Sequence, residues 1–134
     1  MQQIFIDKFI IPQSARQEFT ERMTFNRDFI KNLPGFLGDA AYERADENGN
    51  IICITIANWE SEDALNQAKL AVQAEYQRIN FNPAELLNRL NIIMERDTFQ
   101  PAGNWSKYQQ AYAIGMPADI LLRFMGSPFY GETH

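Results

Sequence analysis

The stretch between residues 33 and 69 constrains the fold more than any other part of the chain. It reads LPGFLGDAAYERADENGNIICITIANWESEDALNQAK, with Asn48-Gly49 between two apolar-rich segments. An Asn-Gly pair in that position is the strongest short-range signal for a β-hairpin, and it favours a type I′ turn. Pro34-Gly35 indicates the end of a preceding helix, because proline cannot continue a helix and glycine accepts positive φ. We therefore predict strands near residues 36–44 and 50–58.

The second strand of this hairpin is apolar on both faces. Residues 51–57 are all apolar except Thr55, whereas a half-exposed strand would alternate apolar and polar residues. Both faces are therefore expected to be buried. Trp59 follows the strand, and Ser61 with two acidic residues behind it begins the next helix. A large aromatic side chain thus lies where a buried strand meets a helix.

The N-terminal segment supplies a further strand and the first helix. Residues 4–11 place apolar side chains on both faces of a strand, and Asp7 interrupts one of them. Ser14 and Gln17 form a capping-box pattern, which predicts a helix from Ser14 to residue 33. Desolvation of Asp7 in mid-strand would favour a role as a general base. The structural alternative is a carboxylate that pairs with an arginine or a lysine or that reaches solvent.

The remaining segments complete a β-α-β-β-α-β order. A helix is predicted over residues 61–80, a short helix begins at Asn82-Pro83, and residues 91–99 form the last strand. This order predicts an α+β, ferredoxin-like domain over residues 1–100. The two long helices of such a domain cover only one face of the sheet. Because the strands are apolar on both faces, we predict that a second copy covers the other face in a homodimer.

Residues 101–134 are predicted to form a C-terminal extension that packs on the domain or on its partner. The segment is too apolar for a disordered tail, and residues 117–124 have the pattern of a short helix. Its aromatic residues are Trp105, Tyr108, Tyr112, Phe124, Phe129 and Tyr130.

Composition and charge exclude several classes of function. A net charge of −5 argues against nucleic-acid binding. A single cysteine excludes an internal disulfide, and no signal-peptide pattern opens the chain, so a cytoplasmic location is expected. No apolar segment approaches the length of roughly 20 residues that crosses a bilayer, so no membrane association is expected. The sole histidine is His134 and no glycine-rich phosphate loop is present, so neither a metal nor another cofactor is expected.

Two short motifs in this order resemble the antibiotic-biosynthesis-monooxygenase (ABM) family of dimeric α+β barrels. They are PGFLG at residues 34–38 and WESE at residues 59–62, with the hairpin between them and Ala64 after them. The resemblance covers residues 1–99. It implies a homodimer joined through the open sheet faces and a pocket between sheet and helices in each subunit. Known members include cofactor-independent monooxygenases of phenolic, anthrone and quinol substrates, and a haem-degrading branch.

This chain has only some of the residues that serve in the pocket of family members. Trp59 matches the tryptophan that lines the pocket in anthrone-oxidising members. Those members carry an asparagine four residues before it and a tyrosine six residues after it, where this chain has Thr55 and Leu65. Asn58 is adjacent in sequence, but it points to the other face of the strand unless a bulge re-aims it.

The haem-degrading branch is a poorer match. It uses an asparagine in the first strand, a tryptophan in the second helix and a histidine ligand near the end of that helix. The nearest residues here are Asp7, Ala68 and Arg78. Haem degradation by that scheme is not expected.

The resulting hypothesis is a cofactor-independent monooxygenase that oxidises a small quinol, phenol or anthrone with O₂. Its candidate catalytic residues are Asp7 as base, Trp59 to orient the substrate and Thr55 as hydrogen-bond donor. Its candidate substrate-binding residues are Asn58, Phe29, Tyr76 and Arg78. The structural alternatives are a core role for Trp59 and surface pairing for Tyr76 and Arg78. Two alternative functions stay open. One is a non-catalytic dimeric protein that binds an aromatic small molecule, and the other is a stress or quality-control module whose function is its dimer surface.

Overall fold

One four-stranded antiparallel sheet organises the described part of the chain, residues 1–102 of a computed structural model. The strands lie in the order β2-β3-β1-β4. The predicted ferredoxin-like α+β fold is therefore confirmed. The tail predictions for residues 103–134, including the helix at 117–124, lie outside the described residues. The elements are β1 (Gln3–Ile11), a 3₁₀ turn (Gln13–Ala15), α1 (Arg16–Ile30), β2 (Phe36–Ala45), β3 (Ile51–Trp59), α2 (Glu62–Arg78), α3 (Pro83–Arg89) and β4 (Ile93–Phe99).

Two of the three predicted helix starts are confirmed. The Ser61 hydroxyl accepts the Ala64 N–H at 3.0 Å before α2, and the Asn82 side chain accepts the Glu85 N–H at 3.2 Å before α3. The capping box at Ser14 is wrong. Ser14 lies inside the 3₁₀ turn, whose backbone is already helical, and α1 begins at Arg16 without a side-chain cap.

The hairpin between β2 and β3 is confirmed, but its predicted type I′ turn is wrong. That turn needs positive φ at two residues, and here only Gly49 has it, at 81°. The Asp46 carbonyl accepts the Gly49 N–H at 3.2 Å, and the Asp46 carboxylate accepts the N–H groups of Asn48 and Asn50 at 2.9 Å each. These hydrogen bonds to Asp46 close a turn that is longer than a two-residue type I′ turn, and only Gly49 in it has left-handed backbone geometry.

The sheet has a helix-covered face and an open face. Odd-numbered residues of β1 and β3 point to the helix-covered face, where Ile11 and Ile51 are 2% and 3% exposed. Even-numbered residues of the same strands point to the open face. That face carries Ile4, Ile6, Lys8 and Ile10 of β1 and Ile52, Ile54, Ile56 and Asn58 of β3.

Two separate apolar clusters fill the helix-covered face. The Phe9 cluster lies at one end of the sheet and consists of Phe9, Ile11, Ala15, Phe19, Ile51, Cys53 and Ile92. The Trp59 cluster lies at the other end and consists of Ile30, Trp59, Leu65 and Ala68. The space between the two clusters holds the polar residues described next.

Candidate functional site

A polar row crosses the helix-covered face between the two apolar clusters. It consists of Thr55 on β3, Asp7 on β1 and Arg96 on β4, which are direct neighbours across the sheet. Cross-strand partners in an antiparallel sheet point to the same side, so all three face the helices. A buried sheet centre is an expensive place for charge, and this row is therefore the first candidate for a functional site.

Asp7 and Arg96 form a bidentate ion pair in this row. The Arg96 Nε and Nη2 groups donate to the two Asp7 oxygens at 2.8 and 3.0 Å. Asp7 is 8% exposed, whereas the Arg96 side chain is 52% exposed. The hydrogen bond with Asp7 raises the pKa of Arg96. The carboxylate of Asp7 is thus buried, whereas the guanidinium of Arg96 reaches solvent. Asp7 is paired with an arginine, as the structural alternative to a general base expected.

Tyr76 and Asn26 connect the two long helices close to this pair. The Tyr76 hydroxyl donates to Asn26 Oδ1 at 2.9 Å. Burial raises the pKa of Tyr76 above its ordinary value of 10.0, and the charges of Arg96 and Asp7 also act on it. The phenol is therefore neutral at physiological pH. Arg22 of α1 contacts the segment that follows α2, since its guanidinium lies 3.8 Å from the ring centroid of Phe81.

Trp59 lies beside the polar row rather than in it. Trp59 follows Thr55 by four positions, so the Cα atoms of the two residues lie about 13 Å apart along the strand. Trp59 is 3% exposed and meets Phe36 edge-on at 5.4 Å between ring centroids. The contacts therefore agree with a core role for Trp59 at the end of the apolar face.

Phe29 and Phe5 pack against the Trp59 cluster. Phe5 also carries the Arg96 guanidinium above its ring, 4.9 Å from the centroid. Phe5 is thus the bridge between the Trp59 cluster and the polar row.

Two of the predicted substrate-binding residues lie away from this arrangement. Asn58 pairs with Ile4 and Gly38 across the sheet, which places it on the open face. The bulge lies on β2 between Phe36 and Gly38, so it does not re-aim β3. The Arg78 side chain is 70% exposed and pairs with Glu75 at 2.6 Å.

A cleft of about 140 Å³ opens between α1 and β2 on the same sheet face. Its inner wall is mostly apolar and belongs to the Phe9 cluster, while Thr55 and Cys53 contribute polar atoms. Burial raises the pKa of the Cys53 thiol. Two ion pairs, Arg16 with Glu43 and Arg27 with Asp39, connect α1 to β2 at the cleft. An adjoining polar cleft of about 250 Å³ shares Thr24 and Arg27 with it.

Sequence reasoning found Asp7, Thr55 and Tyr76 but missed Arg96, Asn26 and Arg27. Arg96 is 89 residues from Asp7 in the chain, and no local pattern connects them. One signal was available, because alternation along the last strand places Arg96 on the same face as Met94 and Thr98. The pairing of Arg96 with Asp7 cannot be read from the sequence, because it depends on the register between β1 and β4.

The described residues contain no obvious place for a metal ion. Within residues 1–102, no three side chains of histidine, cysteine, aspartate or glutamate converge as metal ligands would. The helices of this same part of the chain are also too short or too polar to span a bilayer.

Solved structures of similar fold include one cofactor-independent oxygenase and two candidate monooxygenases. A candidate monooxygenase from Shewanella loihica PV-4 matches with a TM-score of 0.56 and 21% identity, over 75% of this chain and 94% of that one. SnoaB, a cofactor-independent oxygenase from Streptomyces nogalater, matches with a TM-score of 0.54 and 24% identity, over 75% and 93%. A candidate antibiotic biosynthesis monooxygenase from Deinococcus radiodurans matches with a TM-score of 0.56 and 13% identity, over 75% and 92%.

The resemblance to ABM structures is thus confirmed for the fold. The TM-scores of 0.54–0.56 establish the fold, and the sequence identities of 13–24% leave the activity to be argued from the site. No family model matches the sequence. No curated protein matches it either.

Proposed function

We propose that the chain is a cofactor-independent monooxygenase that oxidises a small electron-rich aromatic compound with O₂. The observation that carries this proposal is the polar row itself, in which Thr55, Asp7 and Arg96 lie side by side on the helix-covered face between two apolar clusters. The fold shared with SnoaB, a cofactor-independent oxygenase, supports the same chemistry. The substrate class is a quinol, a phenol or an anthrone.

The reaction needs a deprotonated substrate more than it needs a cofactor. The aromatic anion passes an electron to O₂, and the two radicals combine to a peroxide. For a phenol, the ring C–H opposite the hydroxyl group and O₂ become a second C=O group and water, which gives a quinone. For an anthrone-type methylene, the CH₂ group and O₂ become a C=O group and water. In both cases one oxygen atom enters the product and the other leaves as water. The protein has to take up the first proton, stabilise the anion and exclude water.

The polar row supplies these functions in the proposal. Asp7 accepts the proton of the substrate, which neutralises the carboxylate and frees the guanidinium of Arg96. Arg96 then pairs with the oxyanion of the substrate. The net charge of the site is therefore the same before and after the proton transfer. The Thr55 hydroxyl donates a hydrogen bond to a substrate oxygen.

The surrounding side chains position the substrate and keep water out. Tyr76 stays neutral and, with Asn26, closes the space between α1 and α2 over the pair. The Trp59 cluster, with Phe29 packed against it, offers an apolar wall beside the row.

Oxygen uptake by chelator-treated protein tests the proposal, with hydroquinone, phenol and anthrone as substrates. Proton transfer by a placed side chain contributes about 10²–10⁴ in rate, and a group that stabilises an oxyanion contributes about 10²–10³. Asp7→Asn and Arg96→Gln should therefore each slow turnover by at least about a hundredfold. The control is Arg89→Gln, which removes an exposed ion pair with Glu18 elsewhere on the surface and should leave turnover unchanged.

Several results would count against an oxygenase. Turnover that chelators abolish, or that requires added flavin, would contradict the cofactor-free mechanism. Full turnover by Asp7→Asn would remove the assigned base. Saturable quenching of tryptophan fluorescence without oxygen uptake would favour the binding-protein alternative.

We also propose that the oxygenase is a homodimer joined through the open face of the sheet. Four large apolar side chains are exposed there: Tyr42 at 64%, Ile93 at 60%, Phe99 at 47% and Ile54 at 37%. A contiguous apolar surface of this kind is typical of an interface. The ABM resemblance implies the same arrangement.

A further inference from the structure

We propose that the cleft between α1 and β2 binds a single aromatic ring and thereby limits the substrate to one-ring phenols and quinols. The proposal deepens the function above and rests on it for the chemical class of the ligand. Binding itself can be measured whether or not the protein turns the ligand over.

The size of the cleft matches one ring. Its volume is about 140 Å³, and apolar cavities of roughly 150 Å³ accept benzene. Phe19, Met23 and Ile51 line its inner part as members or neighbours of the Phe9 cluster. Burying a ring against these side chains removes apolar surface from water. The three fused rings of an anthrone exceed this apolar space, and the adjoining cleft of about 250 Å³ is lined by polar and charged side chains, which disfavour a further apolar ring.

The mouth of the cleft favours a neutral ligand with a hydroxyl group. Its arginines are already matched by carboxylates, since Arg27 pairs with Asp39 at 2.6 Å and Arg16 pairs with Glu43. The mouth therefore carries balanced charge and offers no excess cation to a carboxylate ligand. The polar cleft of about 250 Å³ begins at Thr24 and Arg27 and has room for a hydroxyl or another short polar substituent.

The position of the cleft connects it to the polar row. Thr55 belongs to both, because it lines the cleft and is the cross-strand partner of Asp7. Partners of this kind have Cβ atoms about 4.5–5.5 Å apart. A ring in the cleft would thus lie one strand away from the proposed base. Ala41 lies opposite Thr55 on β2 and lines the same cleft.

Calorimetry and cysteine alkylation together test this site. A ligand of the size of phenol should bind with a Kd on the order of 0.1–1 mM, and anthrone should bind much more weakly or not at all. Cys53 is the single cysteine of the chain and lines the cleft, so it reports the location of the ligand. Phenol at ten times its Kd should slow alkylation of Cys53 by iodoacetamide about tenfold.

Two substitutions change the size of the cleft in opposite directions. Ala41→Leu fills it from the exposed edge strand and should weaken phenol binding at least about tenfold. The matched control is Ala45→Leu, which adds the same side chain to the same face of β2 outside the cleft and should bind phenol like the wild type. Met23→Ala enlarges the cleft and should admit the two rings of 1-naphthol. If Met23→Ala does not fold, Ala41→Leu decides the test.

Unchanged phenol binding by Ala41→Leu would overturn the proposal, as would equal affinity of the wild type for phenol and anthrone. Binding that leaves the alkylation of Cys53 unchanged would place the ligand elsewhere and overturn it too. Phenol binding that Ala41→Leu abolishes, without any oxygen uptake, supports the cleft and contradicts the oxygenase. Oxygen uptake that Ala41→Leu leaves intact supports the oxygenase and contradicts the cleft.

Discussion

Cys53 and Ile54 are neighbours on β3, yet they belong to two different surfaces. Cys53 faces the helices and is 7% exposed, whereas Ile54 faces the open side and is 37% exposed. The covered side contains a buried aspartate, and the open side contains most of the isoleucines of β1 and β3. Apolar composition alone therefore does not identify the core of this protein. We interpret the polar row as the part that acts on a ligand and the isoleucine-rich face as the part that assembles.

The largest loss of stability should come from truncating Trp59 on the helix-covered face. Trp59→Ala removes a side chain that is 3% exposed and packed among Ile30, Leu65 and Ala68. Such truncations cost about 3–5 kcal/mol, which urea unfolding at fixed protein concentration would measure. Leu70→Ala, at a position that is 60% exposed on α2, is the control and should change stability by less than about 0.5 kcal/mol. A comparably small effect of Trp59→Ala would show that Trp59 is not a core anchor.

The second effect concerns the polar row. Asp7→Ala leaves Arg96 without its carboxylate, and breaking a fully buried pair costs about 3–5 kcal/mol. Because the Arg96 side chain is 52% exposed, water compensates part of this loss, and we expect about 1–3 kcal/mol. Urea unfolding measures the difference. A variant that is as stable as the wild type, or more stable, would contradict this expectation and would show that the pair does not stabilise the fold.

A smaller loss of stability is expected from removing the hydroxyl group of Tyr76. Tyr76→Phe removes the hydrogen bond to Asn26 and should cost about 1 kcal/mol at neutral pH. Burial raises the pKa of Tyr76 above 10.0, so the unfolded chain loses this proton at a lower pH than the folded one. The stability of the wild type should therefore fall as pH rises past 10.0, and Tyr76→Phe should remove part of that fall.

The control for this pH dependence is Tyr42→Phe on the open face, where the side chain is 64% exposed. Thermal melts between neutral and strongly alkaline pH would compare the three proteins. If Tyr42→Phe flattens the alkaline fall as much as Tyr76→Phe does, the assignment to Tyr76 is wrong.

The smallest effect on the folded subunit should come from the open face. Ile93→Asp, at a position that is 60% exposed on the edge strand β4, should change the stability of the isolated subunit by less than about 1 kcal/mol. It should nevertheless abolish the dependence of Tm on protein concentration that a dimer shows. Leu70→Asp adds the same charge to an exposed position on α2 and should keep that dependence. A wild-type Tm that is independent of concentration would contradict the proposed dimer.

Local signals predicted the elements well because they act over a few residues. Ser61 and Asn82 cap their helices as expected, and the apolar pattern of residues 51–57 located β3. The two local errors, at Ser14 and at the Asn48-Gly49 turn, have local causes. A 3₁₀ turn already contained Ser14, and the side chain of Asp46 competed with the type I′ geometry.

The candidate site was predicted only in part, because half of it depends on pairing between distant segments. The sequence indicated that Asp7 is unusual in mid-strand, but the partner of Asp7 followed from the β1–β4 register. Asn58 and Trp59 are adjacent in sequence, and strand alternation placed them on opposite faces. The cleft between α1 and β2 left no trace in any short motif, since residues of one helix and three strands surround it.

The sequence by itself determined the order of strands and helices, the ferredoxin-like fold and the presence of two apolar sheet faces. Periodicity and capping are properties of neighbouring residues, so they can be read along the chain. Only the tertiary structure decided that Arg96 meets Asp7 across 89 residues, that Tyr76 meets Asn26 across 50, and that Thr55 lies between the polar row and a cleft. These contacts depend on strand register and on how the helices pack on the sheet, and both are set by the burial of the whole face at once.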